Sequence, residues 1–143
     1  MGILPGLKEI FSKQHIQEKK LRVHIDDSQA VHKLSEQLAA ILSNLSKKEK
    51  PIILCIGTDR STGDCLGPLT GWRLAPLLHG TGIEVLGTID NPVHAQNLQQ
   101  NLSALSAKAS RHPVIAVDAC LGQQNNVGTI LLEQEPLKPG AGV

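Results

Sequence analysis

The chain has 143 residues, 41% of them apolar and 19% charged, a composition typical of one folded domain. Fourteen Lys and Arg residues against 13 Asp and Glu give a net charge of +1, so the positive field of a nucleic-acid-binding protein is absent. One Phe, one Trp and no Tyr exclude an aromatic platform for single-stranded nucleic acid, and the core must be aliphatic.

Cysteine usage and hydropathy narrow the class further. Three cysteines without a CxxC spacing indicate neither a disulfide framework nor a structural zinc site, and we expect a cytoplasmic protein. No stretch approaches the ~20 apolar residues that span a bilayer, so no membrane partner is expected.

Residues 1–25 are interpreted as an N-terminal arm that holds a short strand at 21–25, and residues 26–143 as one domain. A helical period begins at Ser28, because large apolar residues then recur at three- and four-residue steps: Val31, Leu34, Leu38, Ile41, Leu42 and Leu45. Asp26, Asp27 or Ser28 can cap this helix.

The rest of the chain alternates strand and helix patterns. Residues 51–56 and 114–117 are continuous apolar runs, which are typical of strands buried on both faces in a parallel sheet. Weaker strand patterns occupy 83–86 and 128–132, and helical patterns occupy 67–78 and 92–107, with Pro76 expected to end or kink the first of these helices. This alternation predicts an α/β domain with a mostly parallel sheet.

Two aspartates follow the two clearest strands and carry the main functional signal. Asp64 lies in the loop GTDRSTGDCLGP after the first strand, and Asp118 directly follows the second. Ligand sites in such sheets form outside the carboxyl ends of the strands, so we expect the two carboxyl groups to lie close together. The pair could hold one proton and activate a water, or could bind a cation with His94 as a third ligand. Helix capping by Asp64, loop capping by Asp118 and a surface position for His94 stay open as structural alternatives.

The sequence disfavours both a nucleotide-binding loop and a catalytic thiol. The loop is not a Walker A motif, because Asp64 stands where the lysine should be, and GxGxxG is absent. Cys65 and Cys120 follow the two acids without an obvious base beside them, so thiol catalysis is disfavoured.

Four segments resemble the spore protease YyaC family of endospore-forming bacteria: IGTDRSTGDCLGPLTG (56–71), GTIDNPVHAQNL (87–98), VIAVDACLG (114–122) and PLKPGAGV (136–143). That family is similar to the spore germination protease and the hydrogenase maturation proteases, which implies a three-layer α/β/α sandwich of the phosphorylase/hydrolase-like kind. In the germination protease the acids matching Asp64 and Asp118 are the catalytic pair, and in the hydrogenase proteases acids there bind nickel. The usual Asn after the loop glycine is replaced by Thr58, and the later metal-binding His would fall near or beyond Val143, which disfavours nickel.

The resemblance implies a sporulation-associated peptidase that hydrolyses peptide bonds of a protein substrate, such as a spore protein, with water activated between Asp64 and Asp118. No cofactor is expected, and the location implied is the cytoplasm of the sporulating cell or forespore. Residues expected to contact the acids or the substrate are Thr58, Asp59, Ser61 and His94. The alternatives are a non-catalytic sporulation protein that kept the cleft, and a metal-assisted hydrolase using Asp64, Asp118 and His94.

The last residues predict a chain that stops short of the family's usual C-terminal end. Residues 138–143 have loop composition, and no later helix follows the strand at 128–132 to cover its apolar side chains. We therefore expect a C-terminally truncated domain that is marginally stable or self-associates into a homo-oligomer.

Overall fold

A computed structural model describes residues 20–46 and 48–137. These residues belong to two compact units, one formed by the chain up to Asn44 with Gly128–Glu135 and the other built around Leu45–Val127. Within the described residues, no helix combines the length and the apolar character needed to cross a bilayer. The predicted boundary between an arm at 1–25 and a domain at 26–143 stays a prediction, since residues 1–19 lie outside the described part.

The first unit contains an antiparallel strand pair and one helix. Strand β1 (Lys20–His24) pairs with strand β5 (Thr129–Glu133), so that Lys20 lies opposite Glu133 and His24 opposite Thr129. Both strands lie within two residues of where their patterns predicted them. Their antiparallel pairing differs from the parallel sheet expected of the chain as a whole, because two strands so far apart in sequence carry no local signal for each other.

Helix α1 (Ala30–Ser43) follows β1 and confirms the helical period that begins near Ser28. The residue before the helix is Gln29, and its side chain makes no capping hydrogen bond. Asp27 lies two residues before the N-cap position, and its Oδ1 accepts the Gln29 N–H at 2.8 Å. The expected side-chain cap from Asp26, Asp27 or Ser28 is therefore replaced by an Asx-type turn that leads into the helix.

The second unit is built on a three-stranded parallel sheet with the strand order β3–β2–β4. Strand β2 (Ile52–Cys55) is central and every residue in it is buried, as its continuous apolar run predicts. Strand β3 (Glu84–Leu86) lies on one side, with Ile52 opposite Glu84. Strand β4 (Val114–Val117) lies on the other, with Cys55 opposite Val117.

Helices cover both faces of this sheet. Alternate residues of β2 and the residue after it, Ile52, Leu54 and Ile56, form a buried cluster with Leu105 of helix α3 (Leu98–Ala109). The opposite face meets helix α2 (Leu66–Leu78), where a Cβ atom added at Gly71 would lie 3.4 Å from the Cβ atom of Cys55. Successive strand residues point to opposite faces, so the two helices lie on opposite sides of the sheet. The predicted α/β class and the three-layer arrangement are confirmed.

Helix α2 approaches the sheet backbone closely at Gly71. A Cβ atom at Gly71 would lie 2.3 Å from the carbonyl oxygen of Gly87, which directly follows β3. Gly87 has φ of +85°, and a Cβ atom there would lie 1.8 Å from the carbonyl oxygen of Cys55. Pro76 does not end the helix, which continues to Leu78. The two glycines therefore set the distance between α2 and the carboxyl ends of β2 and β3.

Candidate functional site

The loop that carries Asp64 folds back onto Gly57. Gly57 follows Ile56, the residue that continues strand β2. The Ile56 N–H donates to the Val117 carbonyl at 2.8 Å, and the Gly57 N–H donates to the Val93 carbonyl at 2.8 Å. Gly57 has φ of +139°, a conformation that side chains other than hydrogen rarely tolerate. A Cβ atom at Gly57 would lie 2.1 Å from the Asp64 carbonyl oxygen, so the chain folds back over a position that only glycine fits.

Backbone hydrogen bonds then fix Asp64 within the loop. The Thr58 N–H donates to the Asp64 carbonyl at 2.9 Å, and the Asp64 N–H donates to the Ser61 carbonyl at 3.0 Å. Asp64 is the last residue of a short 3-10 helix, Thr62–Asp64, and is partly buried. Both polar atoms of the Asp64 backbone are therefore hydrogen-bonded within the loop, and neither of these bonds uses its carboxyl group.

Asp118 directly follows β4 and is the second partly buried acid at this edge. Burial raises the pKa of its carboxyl group, and the negative charge of Asp64 raises that pKa further. The Ala119 N–H donates to the Asp118 carboxylate and opposes the shift without cancelling it. The charge of Asp64 therefore acts on Asp118, and the two residues follow strands that are neighbours in the sheet. The expected close approach of their carboxyl groups stays a prediction.

The predicted substrate-binding residues of the loop are held in different ways. The Thr58 Oγ1 accepts the Arg60 N–H at 3.2 Å, and the Thr58 side chain is partly buried. Asp59 and Ser61 are exposed. Within residues 48–137, no hydrogen bond joins a side chain of these three residues to either aspartate carboxyl group. Their contact with a substrate stays a prediction.

His94 lies before helix α3, so the helical pattern expected over 92–107 starts too early. Helix α3 begins at Leu98, because Asn97 makes local hydrogen bonds that hold the preceding residues in a turn. The Asn97 Oδ1 accepts the His94 N–H at 2.9 Å, and its Nδ2 donates to the Pro92 carbonyl at 3.0 Å. The His94 Nδ1 accepts the Gln96 N–H at 3.3 Å.

The described residues hold no group of three or more His, Cys, Asp or Glu side chains placed to bind a metal ion. His94 is therefore not assembled with Asp64 and Asp118 into a three-ligand site. The two aspartates alone supply carboxylate oxygens, which suit hard cations, but a pair leaves most of a coordination sphere to water or substrate.

The thiols differ in environment. Cys55 is fully buried in β2, and burial raises the pKa of its thiol to about 11, so it is neutral and unreactive. The Cys65 Sγ donates to the Thr62 carbonyl at 3.0 Å, which strengthens the 3-10 turn beside Asp64. Cys120 is exposed.

Fold and site together define a class: an α/β protein in which a glycine-closed loop and a neighbouring strand bring two aspartates to the carboxyl edge of a parallel sheet. Residues 22–143 match the family described as "Protein of unknown function (DUF1256)", and the chain belongs to that family. It is 44% identical over 138 residues to the "Uncharacterized protein YyaC" of Bacillus subtilis (strain 168). That match covers 94% of this chain and 63% of the length of the relative. No solved structure matches the chain.

Sequence reasoning found both aspartates from their places after apolar runs. It missed the role of Gly57, whose only sequence signal is a glycine directly after a buried strand. It also missed a cavity beside α2, because nothing in the pattern of that helix distinguishes side chains that line a cavity from side chains that fill a core.

Proposed function

We propose that this protein is a hydrolase that cleaves peptide bonds of a protein substrate with Asp64 and Asp118. The observation that carries the proposal is the raised pKa of Asp118 at a sheet edge shared with Asp64. A carboxyl group with a raised pKa beside a second carboxyl group is an arrangement that suits acid–base hydrolysis. The resemblance of the loop and strand segments to a spore protease family implies peptide as the substrate class and the sporulating cell as the location.

The chemistry assigns complementary roles to the two acids. Asp118 retains its proton to higher pH because of burial and the nearby charge, and it serves as the general acid. Asp64 serves as the general base that takes a proton from the attacking water. As the water oxygen bonds to the scissile carbonyl carbon, the Asp118 proton stabilises the developing oxyanion. The proton held by Asp64 then passes to the leaving amine as the C–N bond breaks.

The experiment compares the wild-type chain with Asp64→Asn, Asp118→Asn and the double variant. The substrate is a peptide digest of soluble spore proteins near neutral pH, with new termini counted by mass spectrometry. Each single variant should lose nearly all activity, and the double variant should be little worse than either, because the two groups act as one unit. Asp26→Asn, at an exposed aspartate of the first unit, is the control for the loss of one carboxylate and should keep full activity.

Three results would contradict the proposal. Cleavage that survives both substitutions would place the chemistry elsewhere. A wild-type chain that binds the spore peptides but cuts none would favour a binding protein that kept the cleft. Cleavage that depends on added divalent metal would instead favour metal-assisted hydrolysis.

A further inference from the structure

A second concave feature lies in the same unit as the aspartate pair. A cavity of about 620 Å³ opens beside helix α2, a size within the range of ligand sites. The residues that line it include Trp72, Arg73, Pro76, Leu77, Thr88 and Asp90. Neither aspartate of the proposed catalytic pair belongs to the lining.

One wall of the cavity is apolar and open to water. The indole of Trp72 is 50% exposed and Leu77 is 73% exposed, although both are large apolar side chains on a helix whose other face is packed on the sheet. Pro76 continues this wall. A ligand with an apolar side chain would cover these groups, and removing their area from water would stabilise the complex.

Two charges of opposite sign face the same cavity without partners. Arg73 and Asp90 are both exposed, and in the described part of the chain neither side chain makes an ion pair or a hydrogen bond. A turn presents Asp90, because the Thr88 N–H donates to the Asn91 carbonyl and the Asn91 N–H donates to the Thr88 Oγ1, each at 3.2 Å. The guanidinium group of Arg73 can donate two hydrogen bonds to a carboxylate. Arg73 directly follows Trp72 of the apolar wall in the sequence.

The cavity reaches the edge where the aspartate pair lies. Thr88 and Asp90 come shortly after β3, so they lie at the carboxyl end of the sheet, as Asp64 and Asp118 do. Arg73 lies about two turns into α2, a helix that begins two residues after Asp64. The cavity and the aspartate pair therefore have the carboxyl end of the sheet and helix α2 in common.

We propose that this cavity is a peptide-recognition pocket that takes a large apolar side chain and, next to it, an acidic side chain that pairs with Arg73. This inference rests on the proposed function for its substrate class. The carboxylate of Asp90 repels a second acid at the sheet-edge end of the cavity, so the acidic residue of the peptide lies toward α2. The pocket thus fixes both the composition and the direction of the bound segment.

The single tryptophan of the chain makes the pocket directly observable. The protein used is the Asp64→Asn, Asp118→Asn double variant, so that bound peptide stays intact. Two blocked hexapeptides are titrated that share a central leucine and differ only in a neighbouring glutamate or glutamine, so that neither peptide offers a cation to Asp90. The glutamate peptide should shift Trp72 emission to shorter wavelength and bind about tenfold more tightly than the glutamine peptide, the effect of one charge-assisted contact.

Variants at Arg73 separate this pocket from general charge effects. Arg73→Gln should abolish the preference for the glutamate peptide, and Arg73→Glu should invert it. Arg111→Glu makes the same charge change at an exposed arginine outside the lining and should leave the preference as it is. Circular dichroism melts confirm that each variant is folded.

Several results would overturn the pocket. These are equal binding of both peptides, an unchanged Trp72 emission, or an emission shift that grows with protein concentration without peptide, which would show that a second copy of the chain covers the wall. Failure of the proposed function gives a different result. Selective binding without cleavage by the wild-type chain would contradict the hydrolase function but not the pocket. Cleavage through the aspartate pair without any Trp72 response leaves the function standing and refutes the pocket.

Discussion

Gly57→Ala tests how the fold holds the aspartate loop. Gly57 has φ of +139°, and a Cβ atom there would lie 2.1 Å from the Asp64 carbonyl oxygen and 3.2 Å from its carbonyl carbon. The obstacle is backbone, so no side chain can rotate away to make room. The substitution must move either the end of β2, which is buried, or the turn that carries Asp64.

The loss in free energy of unfolding has two contributions, backbone strain at residue 57 and a broken hydrogen bond. A residue other than glycine in such a conformation costs about 1–3 kcal/mol. Displacing the turn also breaks the hydrogen bond from the Thr58 N–H to the Asp64 carbonyl, which contributes about 1 kcal/mol. We expect the free energy of unfolding to fall by about 2–4 kcal/mol, which lowers the melting temperature by about 8–16 °C for a protein of this size.

The assay is thermal and urea unfolding followed by circular dichroism, with Gly63→Ala as the matched control. Gly63 lies in the same loop, and a Cβ atom there would meet nothing within 4 Å. This control should change the free energy of unfolding by less than about 0.5 kcal/mol. A carboxyl titration of Asp118 by NMR gives a second readout, because a displaced Asp64 would raise the Asp118 pKa less. Equal stability of the wild type and Gly57→Ala, or equal losses in both variants, would refute the reasoning.

Three further predictions concern the acids and the core. Because the folded pKa of Asp118 lies above its ordinary value of 3.8, its ionisation destabilises the fold, and this penalty appears as the pH rises through 3.8 toward the folded pKa. Asp118→Asn should therefore exceed the wild type in free energy of unfolding at neutral pH and match it below pH 3.8, and urea melts across pH that show no such crossover would contradict this. Asp64→Asn should lower the pKa of Asp118 in an NMR titration, and an unchanged pKa would mean that the two groups do not interact. Leu105→Ala should lower the free energy of unfolding by about 2–5 kcal/mol, because Leu105 is only 4% exposed. Leu102→Ala on the same helix should lower it far less, because Leu102 is 40% exposed. Equal losses in urea melts would place the core elsewhere.

The sequence by itself determined the local elements of this protein and which residues to examine. Continuous apolar runs located β2 and β4, but only β2 is buried at every position as predicted. The expectation that β4 is buried on both faces is wrong, because β4 lies at the edge of the three-stranded sheet, where Val114 is exposed and the other residues are partly buried. The three- and four-residue apolar period located α1. An aspartate placed directly after an apolar strand identified Asp118 as unusual, because burying a carboxylate is costly and needs a compensating role.

Only the tertiary structure decided the features that depend on distant parts of the chain. The pairing of β1 with β5, the closure of Asp64 over Gly57 and the effect of the Asp64 charge on the pKa of Asp118 all join residues that share no local pattern. The start of α3 at Leu98 was set by competition between the Asn97 side chain and helical hydrogen bonding, which propensity alone does not resolve. The pattern of apolar residues indicates which side chains are buried on folding. Contacts and charge interactions between distant residues depend on distances that only the folded chain sets.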